Sequence, residues 1–209
     1  MGGFRPIIPL CCCRPHGLLF VNRGALLQRP FCAPAFVNSA LPTSVLRTAE
    51  PFSQREFRDA LGQFATGVTI ITARSAEGHA VGTTVSSFNA LSLAPSLVLW
   101  SLGLKANSLP VFREATHYAV HVLSASQKPL AELFARKGAD RFSHTPHHDS
   151  GHGVPLLEGC SAIFECRNLR QHEEGDHLLF IGEVERCEHH ASRSPLLYHG
   201  GHMHTHGPI

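Results

Sequence analysis

Residues 64–102 run F-A-T-G-V-T-I-I-T-A-R, then S-A-E-G-H, then A-V-G-T-T-V-S-S-F-N-A-L-S and, past L-A, P-S-L-V-L-W-S-L. β-Branched residues and the turn Ala76-Glu77-Gly78-His79 predict a hairpin, with Val68–Ala73 going out and Ala80–Ser87 returning. Pro95 marks a break before a further strand at Leu97–Leu102. Small hydroxyl residues crowd this otherwise apolar stretch: Thr83, Thr84, Ser86, Ser87 and Ser92. Hydroxyls at that density are costly in a core unless something polar accepts their hydrogen bonds. A flat ring with apolar faces and a hydrogen-bonding edge would meet that need.

Outward from this stretch, the pattern stays β-rich. Upstream, Ser53-Gln54-Arg55-Glu56 is a capping box, with Phe57, Leu61 and Phe64 on one helical face and Gly67 expected to close the helix. Downstream, Asn107–Arg113 reads as one short helical turn. Tyr118, Val120 and Val122 alternate with His117, Ala119 and His121, the period of a half-buried strand. A second helix is expected from a Ser126 cap, with Pro129 in its first turn and Leu130, Leu133 and Phe134 on its apolar face. Residues 142–159, rich in His, Gly and Pro, read as a loop. Ser161–Gln171 and His177–Cys187 are long strands flanking the turn Glu174-Gly175-Asp176. No βαβ rhythm is present, so a parallel sheet is excluded as the framework. The expected fold is mainly β, an antiparallel barrel with a few short accessory helices, because closure removes strand edges.

The length of 209 residues suits one domain with appendages. Residues 51–200 form the expected domain, 1–50 an extension and 201–209 a His-rich tail. Residues 1–49 hold five Arg and no acid, which leaves thirteen basic against sixteen acidic residues in the remaining 160. A weakly acidic body without a basic stripe argues against nucleic acid as a partner. The Arg-rich, Pro-interrupted start reads as a disordered extension or as a mitochondrial transit segment. Without such a targeting role the expected compartment is the cytoplasm. The seven cysteines (Cys11, Cys12, Cys13, Cys32, Cys160, Cys166 and Cys187) show neither a disulfide framework nor zinc-ligand spacing. The three in the body are expected to be small buried apolar residues in a reducing compartment. No apolar run approaches the ~18 residues of a membrane span.

Several anchors occur in order: F-R-D-A-L-G-Q-F-A-T-G-V-T at 57–69, G-T-T-V-S-S-F-N-A-L-S at 82–92 and P-S-L-V-L-W-S-L at 95–102. L-A-E-L-F-A-R-K-G-A-D-R-F at 130–142, G-D-H at 175–177 and P-L-L-Y-H at 195–199 follow. Together, from Phe57 to about His199, they resemble the flavin reductase-like family with the FMN-binding split-barrel fold. These are the short-chain NAD(P)H:flavin oxidoreductases that serve two-component monooxygenases. The extension 1–50 and the end after Gly200 lie outside the resemblance; there Gly201-His202-Met203-His204 stands where the family often has an Arg or Tyr near the Gly.

The resemblance implies that FMN or FAD lies against the strand that includes Thr83, Thr84, Val85, Ser86, Ser87 and Phe88. Fixed backbone dipoles there can stabilise the negative charge of a reduced ring without reorganising. Ser101, Lys105, Asn107 and Ser108 are expected to hold the phosphate, through charge, hydroxyls and free N–H groups. Arg141-Phe142 implies one residue neutralising charge and one packing beside the flavin. Thr66-Gly67 is a further family contact, at a junction where Gly permits close approach. His177, just after a tight turn, is implied to face the nicotinamide of NADH or NADPH. Hydride transfer between two such rings needs orientation and exclusion of water rather than an acid or base. The family further implies a homodimer and a separate monooxygenase that receives the reduced flavin.

Twelve of the sixteen histidines fall at or after residue 144. His202, His204 and His206 alternate and would project from one side of an extended chain, a workable chelate for Zn²⁺, Ni²⁺ or Cu²⁺. A metal-binding protein using this tail is therefore one rival reading; a flavin-binding protein without catalysis is another.

Overall fold

The computed structural model describes residues 52–205; the expectations for residues 1–50 and for His206 lie outside the described residues. Ser53 caps α1 (Gln54–Gly62) as the capping box predicts. Its hydroxyl accepts from the Glu56 N–H at 3.2 Å, and the Glu56 carboxylate accepts from the Ser53 N–H at 2.7 Å. The helix ends earlier than expected, because the Gln63 N–H turns back to the Ala60 carbonyl at 3.1 Å. Gly67 belongs instead to the two-residue strand β1 (Thr66–Gly67). α1 buries no residue; its Phe57 and Leu61, and Phe64 just beyond it, face outward at 51, 57 and 69% exposure.

The hairpin forms as read, from β2 (Thr69–Arg74) and β3 (Ala80–Val85). Next come β4 (Asn89–Leu93), β5 (Ser96–Gly103), α2 (Leu109–Glu114) and β6 (His117–Val122). α3 (Lys128–Ala135) precedes the short pair β7 (His147–Asp149) and β8 (Pro155–Leu157). The long pair β9 (Ala162–Glu174) and β10 (His177–His189) follows, then β11 (Leu197–His199) and β12 (His202–His204). The main sheet is antiparallel in the order β3-β2-β6-β9-β10-β5-β4. Its two ends meet at residues 86–88. There the Ser87 hydroxyl donates to the Ser101 carbonyl and accepts from the Ser101 N–H, both at 3.0 Å. A side-chain clamp thus stands where a ladder would close the barrel, and the barrel is split.

Two apolar clusters share the strands between them. Ile71 and Ala73 of β2 and Tyr118 and Val120 of β6 face the interior, with Val98, Trp100 and Phe180. Trp100 stacks on Phe180 at 4.2 Å and meets Phe112 and Tyr118 edge-on at 5.1 and 5.5 Å. Ile70, Ala119 and Leu123, from the other side of the same strands, pack outward against Phe134 of α3, Leu157 of β8 and Leu196. β6 is therefore buried on both faces rather than half-buried, since α3 and β8 cover the side that alternation assigned to solvent. The structure corrects three smaller expectations. Ser126 does not cap α3: Ser124, paired with Gln127, caps a short 3₁₀ turn ahead of it, and α3 itself begins after Gln127 without a side-chain cap. Residues 142–159 include the β7–β8 pair. Cys160 and Cys166 are buried, their thiol pKa values pushed up by desolvation to about 11 and about 12, but Cys187 is exposed.

Candidate functional site

β3 distributes its side chains to two sides. Val81 and Val85 join the barrel interior, while Gly82 lies beneath the Phe134 and Phe142 rings. A Cβ at Gly82 would meet Phe134 at 2.5 Å, so α3 sits directly on this strand. Several hydroxyls that looked free in the sequence are committed within the chain. Thr84 donates to the Ala131 carbonyl of α3 at 2.7 Å, and Ser87 forms the clamp to Ser101. Ser86 is exposed, and Phe88 leans against Phe164 with ring centroids 5.6 Å apart. Arg141 donates to the Gly82 carbonyl at 2.9 Å and to the Arg136 carbonyl at 2.5 Å, while its Nε is buried without a partner. Partial burial lowers its pKa, yet a guanidinium remains charged.

Where β3 ends, a cleft of about 540 Å³ opens between α1 and the C-terminal strands. Arg58, Leu61 and Gln63 line it from the helix, Thr66 and Ser86 from the barrel, and Tyr198 with Gly200-Gly201 from the β11–β12 turn. The turn glycines have φ of +57° and +82°, as a two-residue hairpin loop with both central residues left-handed requires. Tyr198 pairs with Thr66 across β1 and β11. The Thr66 hydroxyl is buried with no protein partner, and open space lies where a Cβ on Gly67 would stand.

A second group gathers where β5 ends and β10 begins. His177 pairs with Gly103 in the ladder, and its Nε2 lies 3.9 Å from where a Gly103 Cβ would be. Its Nδ1 is 2.7 Å from Asp176 Oδ1. The hydrogen bond from His177, and more weakly the charge of Lys105, hold the Asp176 carboxyl below its usual range. An ionised carboxylate only accepts, so Nδ1 carries the proton and Nε2 is left free for another partner. Lys105 and Asn107 are exposed beside this group, and Ser108 makes no side-chain cap to α2. The structure thus sets Thr66 and Ser86 at one cleft. Ser87 and Ser101 meet at the clamp, Lys105 and His177 share one end of the sheet, and Arg141-Phe142 lies against Gly82. Asp176 and the cleft-lining Tyr198 went unassigned in the sequence, although G-D-H and P-L-L-Y-H contain them.

A family model described as a flavin reductase like domain matches residues 61–207. The chain belongs to this flavin reductase-like family. It is 46% identical over 149 residues to the FMN reductase (NADH) SmoA of Agrobacterium fabrum, covering 71% of this chain and 84% of that protein. It is 39% identical over 131 residues to the reductase component of the flavin-dependent trigonelline monooxygenase of Acinetobacter baylyi. That match covers 63% of this chain and 42% of the relative, so the chain spans less than half of that protein's length. The solved NADH:FAD oxidoreductase SgcE6 of Streptomyces globisporus, in complex with NAD and FAD fragments, superposes with a TM-score of 0.70. The two are 33% identical, and the match covers 77% of this chain and 98% of that one. The flavin reductase-like match runs through β12 and so includes His202–His204, which pair with Leu197–His199.

The residues present fit a flavin. Ser86 is exposed at the cleft, Thr66 lines it with a buried hydroxyl that has no protein partner, and Gly67 leaves room for a flat ring to approach.

Proposed function

We propose that the protein is an NAD(P)H:flavin oxidoreductase that reduces FMN or FAD and supplies the reduced flavin to a separate monooxygenase. The observation that carries this reading is the open cleft at the end of β3, lined by the exposed Ser86 and by Thr66, whose buried hydroxyl has no protein partner. The similarity to SmoA and to the trigonelline reductase component supports it through the activities their names state. When bound, the flavin supplies the hydride acceptor and the nicotinamide the donor. The chain's own residues bind and orient. Thr66, Gly67 and the segment from Thr83 to Phe88 form one wall, with Ser101, Lys105, Asn107 and Ser108 toward the phosphate and Arg141-Phe142 behind Gly82. His177, fixed by Asp176, presents Nε2 to the nicotinamide and is the residue assigned to the catalytic site.

The protein acts as a homodimer in this reading. Phe57 and Leu61 of α1, with Phe52 before it and Phe64 after it, expose an apolar patch, and α1 also lines the cleft, so a second copy packed there would narrow the site. Among the described residues no helix is long and apolar enough to cross a membrane. The cytoplasm is the proposed compartment. The test is NADH or NADPH oxidation by the purified protein with added FMN, FAD or riboflavin. Turnover with at least one pair is expected, and none with any pair rejects the reading.

A further inference from the structure

Away from the cleft, His117, His152 and Glu185 each bring a donor atom within 4.8 Å of the others. Among the described residues, no other three His, Cys, Asp or Glu side chains meet in this way. His117 opens β6, His152 lies between β7 and β8, and Glu185 lies in β10. Val184 pairs with Cys166 and Arg186 with Glu165, so Glu185 is the extra residue of a β-bulge. A bulge re-aims a side chain that the regular pleat would place elsewhere.

The three donor atoms stand close enough to share one ion once one ring turns. The imidazoles of His117 and His152 are stacked, with centroids 3.9 Å apart and planes 6° from parallel, so their in-plane lone pairs do not converge and the exposed His152 ring has to turn for both to hold one ion. Glu185 Oε2 stands 3.6 Å from His117 Nε2 and 3.5 Å from His152 Nε2. Both separations exceed a good hydrogen bond, which an ordinary surface His–Glu pair would make. They lie close to the ~3.3–3.4 Å that separates ligands around tetrahedral Zn²⁺ held at about 2.0–2.1 Å. Two of the donors also have outer partners. Thr116 Oγ1 is 3.0 Å from His117 Nδ1, and Arg167 Nε is 3.7 Å from Glu185 Oε1. These contacts occupy His117 Nδ1 and Glu185 Oε1 and leave His117 Nε2 and Glu185 Oε2 free to bind, as outer partners of metal ligands do.

We propose that His117, His152 and Glu185 bind Zn²⁺ through three protein ligands, with a fourth position open to water. Imidazole and carboxylate donors in this number suit Zn²⁺ and not Mg²⁺ or Ca²⁺, which take all-oxygen shells. Glu185 lies eight residues along β10 from His177, about 26 Å at a rise of ~3.3 Å per residue. The ion therefore ties the segment carrying His152 to β6 and β10 and takes no part in hydride transfer.

The experiment starts from the full chain carrying His202→Gln, His204→Gln and His206→Gln, which removes the tail's own chelating side chains. Calorimetric titration with Zn²⁺ alone should give one ion per chain, and Co²⁺ in its place should give the visible absorption of a four-coordinate site. Losing an outer partner typically weakens a metal site about 10–100-fold, so adding His152→Gln or Glu185→Gln should weaken binding about 100-fold or more. Both side chains lie at the surface, so the metal-free melting temperature should hold. Thr116→Val, which spares every ligand, should weaken binding about tenfold and decides the matter if a ligand variant misfolds. A starting protein that binds no Zn²⁺, or unchanged affinity in the ligand variants, overturns the proposal.

Discussion

The sealed core around Trp100 and the cleft beside Thr66 are built on the same barrel, and both hold polar atoms without partners. Trp100 Nε1 and Tyr118 OH lie inside the aromatic cluster, and His121 Nε2 lies in the outer layer, all three buried. Burial pushes the Tyr118 hydroxyl pKa up, as expected where the charged form has no solvation. The Thr66 hydroxyl is just as buried and unpartnered, but its residue lines an open cleft. An orphan polar atom alone is a local cost of packing. Beside a cleft it becomes a candidate contact for a ligand that enters.

The largest test of this contrast lies in the sealed core. A Cβ on Gly182 would stand 2.1 Å from the Tyr118 hydroxyl and 3.2 Å from Cys166 Cβ. The Tyr118 ring is held edge-on by Trp100 and cannot swing clear. Gly182→Ala should cost about 3 kcal/mol, read as a lower midpoint in urea unfolding. The folded fraction should keep its flavin KM, because Gly182 is remote from the cleft.

His121 gives the next effect. Its Nδ1 is 3.0 Å from the Ile70 carbonyl, which only accepts, so Nδ1 carries the proton and buried Nε2 has nothing to receive a second. Desolvation drives its pKa down from 6.5 to about 4. The unfolded chain then binds the proton more readily than the folded one, and stability falls as pH drops from 6.5 toward 4. The loss is on the order of 3 kcal/mol and is complete below the folded value. Denaturant unfolding across that window should show it, and it should be absent in His121→Gln.

The sequence made legible what is decided locally. The capping box at Ser53, the hairpin around Gly78 and the long pair meeting at Gly175 depend on residues a few positions apart, and each formed. Anchors spread along the body carried the family. Contacts between distant segments were not legible. Nothing near Thr84 in the chain says that its hydroxyl serves the Ala131 carbonyl, or that Ser87 is held by Ser101. Alternation could not show that α3 and β8 cover the second face of β6, nor that the apolar stripe of α1 would face outward. The Glu185 bulge was equally hidden, since it exists only in the register between β9 and β10.

A third measurement probes the cleft. Thr66→Val keeps the shape and removes the unpartnered hydroxyl. It should raise stability by about 1 kcal/mol and, if the hydroxyl binds flavin, raise flavin KM several-fold. A gain in stability with unchanged flavin KM would make Thr66 one more sealed orphan like Tyr118.

The smallest stability effect belongs to His177, and it is the most selective for function. The side chain is exposed at a strand start and bonds only Asp176, so His177→Ala should change stability by no more than about 0.5 kcal/mol. If Nε2 contacts the nicotinamide, losing that hydrogen bond raises the NAD(P)H KM by roughly a factor of ten while the flavin KM stays put. Asp176→Asn separates contact from orientation. Its amide can still accept from Nδ1–H but removes the charge, so it should raise the nicotinamide KM by less than the alanine variant does. Equal effects from both would mean that the charge of Asp176 matters as much as the ring it holds. No effect from either would remove His177 from the site and leave the nicotinamide to be positioned by the phosphate-end residues around Lys105.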